Sequence, residues 1–116
     1  MSRSVKRAAV LGTVAAAAFV MSPLAASAGG ASNNCAGPAC SVEAGGFPGG
    51  RLSVDADVHG SGSAEWVVFS GDRVACRLNF SASAPPQSWV CSNVAGGYLS
   101  ASVLGPQGPS NIGLRW

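Results

Sequence analysis

The sequence predicts an all-β fold: a small antiparallel β-sandwich, immunoglobulin-like or similar, stabilised by disulfides and free of helix after residue 28. From Arg51 onward, apolar and polar residues alternate with a period of two. Clusters rich in Gly, Pro, Ser and Asp interrupt this alternation about every ten residues, which is typical of a sandwich with about six to seven strands. No stretch of this region combines helical periodicity with helix caps.

Residues 1–28 are predicted to be a secretory signal peptide. A positively charged start is followed by the uncharged, mostly apolar run 8–21 and by the small-residue motif Ala-Ser-Ala at 26–28. As a helix, the run would span only about 21 Å, too short for a hydrocarbon core of about 30 Å. We therefore expect a secreted protein of bacterial type, cleaved after Ala28 and not anchored in a membrane afterwards.

The charge of the mature chain, residues 29–116, argues against two classes of partner. The whole chain carries a net charge of +2, but three of its seven basic residues lie in the signal peptide. Four arginines and five acidic residues remain, with no lysine, so the mature chain has a net charge of −1. A nucleic acid or an anionic membrane surface requires clustered basic residues. Neither is an expected partner.

All four cysteines lie in the mature chain, and an even number in an oxidising compartment predicts two disulfides. Three pairings are open, and we prefer Cys35–Cys40 with Cys76–Cys91. The second bridge closes a loop of about 16 residues and stabilises the fold by about 3 kcal/mol in the chain-entropy model. A zinc–thiolate site needs two closely spaced cysteine pairs, which the spacing of Cys76 and Cys91 does not provide.

The segment 29–50 is predicted to be a glycine-rich N-terminal arm outside the sandwich domain, which would comprise 51–116. Its glycines and prolines argue against a helix or a long strand. Within it, the Cys35–Cys40 disulfide is expected to close a short loop, and a short strand around 41–44 is possible on the sequence. The remainder is expected to be loop.

Six strands are predicted within 51–116: Arg51–His59, Glu65–Ser70, Arg73–Ser81, Ser88–Val94, Tyr98–Leu104 and Asn111–Trp116. Alternation assigns one buried face to each segment, since successive side chains of a strand point to opposite sides. The inward residues are Leu52, Val54, Ala56, Val58, Val67, Phe69, Val74, Cys76, Leu78, Phe80, Trp89, Cys91, Leu99, Ala101, Val103, Ile112, Leu114 and Trp116. If Cys76 faces Cys91 on a neighbouring strand, Leu78 faces Trp89.

A two-residue hairpin turn at 71–72 predicts a surface patch on the outer side of the sheet. In that register Trp66 lies opposite Arg77, and Val68 is on the same face. With Val90 on the next strand, these residues have the composition of a recognition hot spot for a protein or a sugar ring. Two alternatives stay open: a second layer covers the patch, or a slip of one residue moves Trp66 into the core.

The stretch SVDADVHG, 53–60, places two carboxylates and the only histidine at alternate positions. If the valines face inward, Asp55, Asp57 and His59 share the outer face about 7 Å apart. Asp57 with His59 could chelate a divalent metal, and Glu65 on the predicted neighbouring strand could join them. The simpler interpretation, which we prefer, is the solvated face of a strand at a sheet edge.

The loop 81–88 is a second candidate binding segment. It lies inside the Cys76–Cys91 ring and contains the stiff pair Pro85-Pro86. A disulfide-braced loop is pre-organised for contact with a hydrolase. An ordinary hairpin loop explains the same residues.

The sequence predicts a small secreted, non-catalytic binding module for an extracellular protein or carbohydrate, without a cofactor. No nucleophile elbow, phosphate-binding loop or other catalytic motif is found. Three alternatives stay open. They are an inhibitor of a secreted hydrolase acting through 81–88, a structural protein of the cell or spore envelope tethered by the arm, and a metal-dependent hydrolase centred on Asp57 and His59.

Overall fold

The computed structural model describes residues 29–116, which form eight antiparallel strands and, within this range, no helix. The predicted signal peptide lies outside the described residues. The strands are β1 (Gly30–Cys35), β2 (Ala39–Phe47), β3 (Gly50–His59), β4 (Ser63–Ser70), β5 (Arg73–Ser81), β6 (Gln87–Val94), β7 (Gly97–Leu104) and β8 (Gln107–Arg115). No helix capable of spanning a bilayer occurs in 29–116.

The strands form two four-stranded sheets, and the predicted all-β sandwich with two disulfides is confirmed. Sheet A has the strand order β1-β8-β3-β6, and sheet B has the order β2-β7-β4-β5. Within 29–116 only the β4–β5 hairpin connects neighbours in one sheet, and every other connection crosses between the sheets. Strands that alternate between sheets place the inward residues of both in one core.

The core consists of the inward-facing residues of both sheets. The predicted inward residues of β3 and β7, and Ile112 and Leu114 of β8, are buried as predicted. The predicted inward positions of Val67, Phe69 and Val74 are wrong, because these side chains face outward. The largest fully buried side chains are Leu52, Leu99, Ile112, Leu114, Val54, Val58, Val68 and Val103. Trp116 is half-buried and packs edge-on against Phe47, with ring centroids 5.2 Å apart.

Both predicted disulfides are present, and each joins the two sheets at one edge of the sandwich. Cys35 of β1 is bonded to Cys40 of β2, and Cys76 of β5 to Cys91 of β6. The prediction that β5 and β6 are neighbours in one sheet is wrong. The chain crosses between the sheets at 82–86, and such a crossing brings the two cysteines together as well as a hairpin would.

The prediction that 29–50 is mainly a loop is wrong, because β1 and β2 are edge strands of the two sheets. Gly46, at a φ of +76°, lies in a bulge where β2 shifts its register against β7. Glycine tolerates this conformation, so the strand bends and continues instead of ending. Asn33 also donates a hydrogen bond of 2.9 Å to the Ser41 carbonyl, which links β1 to β2. The sandwich therefore includes the glycine-rich segment.

The register between β4 and β5 differs from the predicted one by a single bulge. The predicted two-residue turn after β4 is confirmed. The pairs then change from Phe69 opposite Val74 to Val68 opposite Cys76, which leaves Ala75 as the extra residue. Because side chains alternate along a strand, this one-residue shift exchanges the two faces of β4 relative to β5.

Candidate binding site

Asp55 is the centre of a hydrogen-bonded network on the outer face of sheet A. The Arg115 guanidinium donates to both carboxylate oxygens, from Nε at 2.7 Å and from Nη2 at 2.8 Å. The Ser88 hydroxyl donates to Oδ1 at 2.5 Å. Since β3 lies between β8 and β6, partners reach Asp55 from both sides.

The network lowers the pKa of Asp55 below its ordinary value. Hydrogen bonds from Arg115 are the largest cause, and partial burial acts in the opposite direction. Hydrogen bonding by Ser88 and the positive charge of Arg115 lower the pKa further. The carboxylate is thus stabilised in its charged form, and its hydrogen-bonding capacity is used within the protein.

Asp57 and His59 face outward from sheet A, as the alternation predicts. The predicted edge position of their strand is wrong, because β3 is an inner strand. His59 Nδ1 lies 2.7 Å from the Pro109 carbonyl oxygen, which can only accept, so Nδ1 is the donor of this hydrogen bond. Together with residues 82–86, both side chains line an open depression of about 400 Å³.

Glu65 cannot complete a metal site with Asp57 and His59. It lies on β4 in sheet B and faces outward on the opposite side of the sandwich. There its carboxylate lies 2.9 Å from the Nε atom of Arg77. Across 29–116, no three His, Cys, Asp or Glu side chains are grouped closely enough to hold a metal ion. The three-residue metal hypothesis is therefore wrong in its geometry.

The predicted patch of Trp66, Val68, Arg77 and Val90 does not form. Trp66 and Val68 are 2% and 0% exposed, because the bulge in β5 exchanges the faces of β4. Arg77 is exposed on sheet B, whereas Val90 is exposed on the outer face of sheet A. The alternative in which a one-residue slip moves Trp66 into the core is the correct one.

In the core, Trp66 lies in an aromatic cluster between the sheets. Its ring centroid lies 5.7 Å from that of Trp89 on β6, which in turn lies 5.2 Å from that of Phe80 on β5. Within 29–116, no protein atom accepts a hydrogen bond from the Trp66 indole nitrogen. The residue therefore acts through packing.

The loop between β5 and β6 lies against the β3–β4 turn. Ala82 is buried, and its amide donates a 2.9 Å hydrogen bond to the Gly62 carbonyl. Pro85 and Pro86 are exposed and line the depression beside His59. A segment anchored in this way offers a short contact surface at the end of the sandwich.

The outer face of sheet B carries a group of apolar residues that the predicted patch does not include. Val74, Tyr98 and Leu104 are 50%, 53% and 61% exposed. Val67 and Phe69 lie between them and are half-buried. We refer to these five residues as the sheet-B face. The inward assignment of Leu99, Ala101 and Val103 already implied that their neighbours on β7 point outward. For β4, no feature of the residue pattern indicates the bulge in β5 that turns Val67 and Phe69 outward.

The acidic residues that border the sheet-B face are both paired. The Tyr98 hydroxyl donates to Glu43 Oε1 at 2.5 Å, and Glu65 contacts Arg77. The hydrogen bond to Glu43 raises the pKa of Tyr98 above its ordinary value, with smaller contributions in the same direction from desolvation and the carboxylate charge.

Comparison of the chain with protein-family models and with curated proteins finds no match.

Proposed function

We propose that the protein is a secreted, non-catalytic binding module that contacts its extracellular ligand through the sheet-B face. One observation carries this proposal. Of the four large hydrophobic residues exposed in 29–116, three lie on this single face: Val74, Tyr98 and Leu104. Clustered exposed apolar residues with a polar border are typical of interaction sites.

The placement of the ionisable residues supports binding in preference to catalysis. Asp55 is held by Arg115 and Ser88, and Glu65 is held by Arg77. The only histidine lies on the other sheet from the sheet-B face. A general acid or base must reach the reacting group directly or through one water molecule, which residues on opposite faces cannot do together.

The proposal includes secretion with cleavage after Ala28. The two disulfides fit an oxidising compartment. Cleavage at this point leaves all of β1 in place, and it retains the paired hydrogen bonds between Gly29 and Trp116, each 3.1 Å. N-terminal sequencing of protein from the culture medium tests this step. A first residue within β1 would contradict it.

The envelope-tether alternative depends on a free glycine-rich arm. Residues 30–47 supply an edge strand to each sheet and cannot extend from the domain without breaking both edges. The hydrolase-inhibitor alternative depends on a loop that reaches into an active site. Ala82 is buried and anchored at Gly62, which limits that reach. Binding through the sheet-B face requires neither the release of the edge strands nor the extension of this loop.

The test compares two surface variants of the protein secreted from the full chain. The first variant carries Val74→Asp and Leu104→Asp on the sheet-B face. The control carries Val90→Asp, an equally exposed valine on sheet A. Binding to washed cell walls and to polymers of the culture medium is measured by sedimentation. We expect at least about a tenfold loss of affinity for the first variant, equivalent to about 1.4 kcal/mol, and no loss for the control.

Two outcomes would contradict the proposed function. One is the absence of binding by the unmodified protein to any wall or medium fraction. The other is equal binding by all three proteins, which would place the contact elsewhere on the molecule. Circular dichroism of each variant verifies that the strands are intact.

A further inference from the structure

The sheet-B face contains a groove whose floor is strand β7. Ser100 and Ser102 point outward from β7, which lies between β2 and β4. Their inward neighbours Leu99, Ala101 and Val103 are buried in the core. Small side chains on an inner strand, flanked by the longer side chains of Glu43 and Phe69, leave a depression along the strand. The part of it lined by Ser41, Glu43, Phe69, Ser100 and Ser102 has a volume of about 250 Å³.

The two walls of this groove differ in chemistry. On the β2 side, Glu43 lies opposite Ser100, and Ser41 lies opposite Ser102. On the β4 side, Phe69 lies opposite Ser100, and Val67 opposite Ser102. The wall strands are two strand spacings apart, about 9–10 Å. One wall therefore offers oxygen atoms, the other offers an aromatic ring and a branched aliphatic side chain, and the floor offers hydroxyls. We refer to these six residues as the sheet-B groove.

Tyr98 and Leu104 lie at the two ends of the sheet-B groove. Both are more than half exposed and therefore rise above the serine floor. Tyr98 donates its hydroxyl proton to Glu43 Oε1, which orients the carboxylate and leaves Oε2 available to a ligand. In 29–116, no protein atom is hydrogen-bonded to the side-chain hydroxyl of Ser41, Ser100 or Ser102. These hydroxyls can both donate and accept.

We infer that the sheet-B groove binds single pyranose rings of an uncharged extracellular polysaccharide. This inference rests on the proposed function and names its ligand class. A pyranose ring has an apolar C–H face and an edge of hydroxyls that donate and accept. The apolar face packs on Phe69 and Val67, while the hydroxyl edge is paired by Glu43 and the serines. A volume below the ~300–1,000 Å³ of drug-sized pockets suits one ring of a chain that continues beyond the groove.

Charge selects the type of polysaccharide. Glu43 is the only ionisable residue that lines the depression, so the lining contains an acidic group and no basic one. Arg77, a positive charge on this face, is paired with Glu65. A uronic acid or phosphate-rich polymer would place its negative charge beside the Glu43 carboxylate, and no basic residue in the lining offsets the repulsion. Uncharged hexose chains avoid this repulsion.

A protein partner fits the groove less well than a sugar does. Fully buried interface cores are usually formed by aromatic and aliphatic side chains, and their polar atoms need paired partners. The serine hydroxyls and Glu43 would each require a matched polar group from the protein partner. The dense hydroxyls of a sugar ring provide such groups without a specific sequence.

The experiment titrates the secreted protein with soluble oligosaccharides and follows backbone amide shifts by NMR. The probes are cellohexaose and fully N-acetylated chitohexaose, both uncharged, and hexagalacturonic acid, which is anionic. We expect an uncharged probe to shift amides of residues 41–43, 67–69 and 98–104, with a weak dissociation constant near 1 mM, or about 4 kcal/mol. We expect the anionic probe to bind at least about tenfold more weakly.

Two groove variants and a matched control locate the site. Ser100→Leu fills the floor, and Phe69→Ala removes the aromatic wall. Ser53→Leu makes the same change as the first on the outer face of the inner strand β3 in sheet A. We expect each groove variant to weaken binding at least about tenfold and the control to stay within about twofold, or 0.4 kcal/mol. Amide spectra report whether each variant is folded. If one groove variant does not fold, the other still tests the site.

The outcomes separate this inference from the proposed function. If no uncharged oligosaccharide binds, or if shifts occur outside the groove, the inference is wrong. If the Val74→Asp, Leu104→Asp variant nevertheless loses binding to walls or medium polymers, the sheet-B face functions but its ligand is of another class. If the anionic probe binds more tightly than both uncharged probes, the charge argument fails and the inference is again wrong.

Discussion

The outer faces of the two sheets differ in how their polar groups are used. On sheet A, Arg115 and Ser88 satisfy Asp55, and Asn111 donates to Asn34 at 2.6 Å. On sheet B, three serine hydroxyls are unpaired within 29–116 and lie beside exposed apolar side chains. The paired groups of sheet A are occupied within the protein, whereas the three unpaired serine hydroxyls of sheet B lie together in one groove. This difference supports the proposal that the ligand binds to sheet B.

The largest expected effect is a difference in stability between substitutions on the inner side and on the outer side of β4. Trp66→Ala removes a buried indole from the core, and we expect a loss of about 3–5 kcal/mol in the free energy of unfolding. Phe69→Ala on the outer side should cost about 1 kcal/mol, because it affects only cross-strand contacts. Urea unfolding with intact disulfides measures both. Trp66→Phe, which retains part of the packing, should lie between them.

Equal losses for Trp66→Ala and Phe69→Ala would contradict the register of β4. The same result would remove the basis of the sheet-B face, because that face depends on Phe69 pointing outward. If Trp66→Ala does not fold, Trp66→Phe still decides the question. A loss clearly above that of Phe69→Ala places Trp66 in the core.

The sequence predicted the parts of the fold that depend on alternation. On β3 the valines and leucine are buried and the acidic residues face outward, because the solvation of charges and the burial of aliphatic groups impose the same pattern. Both disulfides were predicted, although the register that favoured Cys76–Cys91 placed β5 and β6 in one sheet, and the structure places them in two. Alternation is a local property, and local patterns can be read without knowing the neighbouring strands.

The parts that the sequence did not predict depend on choices between strands. The extra residue Ala75 leaves no mark in the residue pattern, yet it decides whether Trp66 or Phe69 faces outward. The residues 82–86 also do not indicate that the chain crosses between the sheets, because a hairpin and a sheet-to-sheet connection are both compatible with their length and prolines. The glycine-rich segment forms strands because β7 and β8 supply partners for its backbone. The intrinsic strand propensity of a segment does not take account of neighbouring strands that pair with its backbone.

The second expected effect concerns the network of sheet A. Asp55→Asn removes the charge from a carboxylate that accepts hydrogen bonds from Arg115 and Ser88. We expect a loss of about 1 kcal/mol in unfolding free energy at pH 7, the upper end for a partly exposed ion pair. Asp57→Asn, two residues along the same face, is the matched control. It should change stability by about 0.5 kcal/mol or less.

The pH dependence of this effect has a definite sign. The pKa of Asp55 is lower in the folded protein than in the unfolded chain. Its contribution is therefore complete above the unfolded value of about 3.9 and disappears as the pH falls through the folded value. The difference in stability between the native protein and Asp55→Asn should be constant from pH 5 to pH 7 and shrink in stronger acid, on the linkage relation. A difference that grew on acidification would show that Asp55 is not stabilised as a carboxylate.

The smallest expected effect concerns Glu43 and Tyr98 at the end of the sheet-B groove. Glu43→Ala should lower the pKa of Tyr98 toward its ordinary value, because the phenol then loses its acceptor and the nearby negative charge. Tyr98 is the only tyrosine of the chain, so phenolate absorbance reports it alone. Glu65→Ala, which removes the acid paired with Arg77 on the same face, is the control and should leave the titration of Tyr98 unchanged.

The result of that titration bears directly on the contrast between the faces. Tyr98 is exposed, so its hydrogen bond to Glu43 exchanges readily with water and should hardly affect unfolding. A shift in the titration of Tyr98 without a change in stability would show a polar pair that orients Glu43 and does not support the fold. Asp55 on sheet A would then contribute to stability, whereas Glu43 on sheet B would not. A loss of stability in Glu43→Ala as large as that in Asp55→Asn would abolish the distinction.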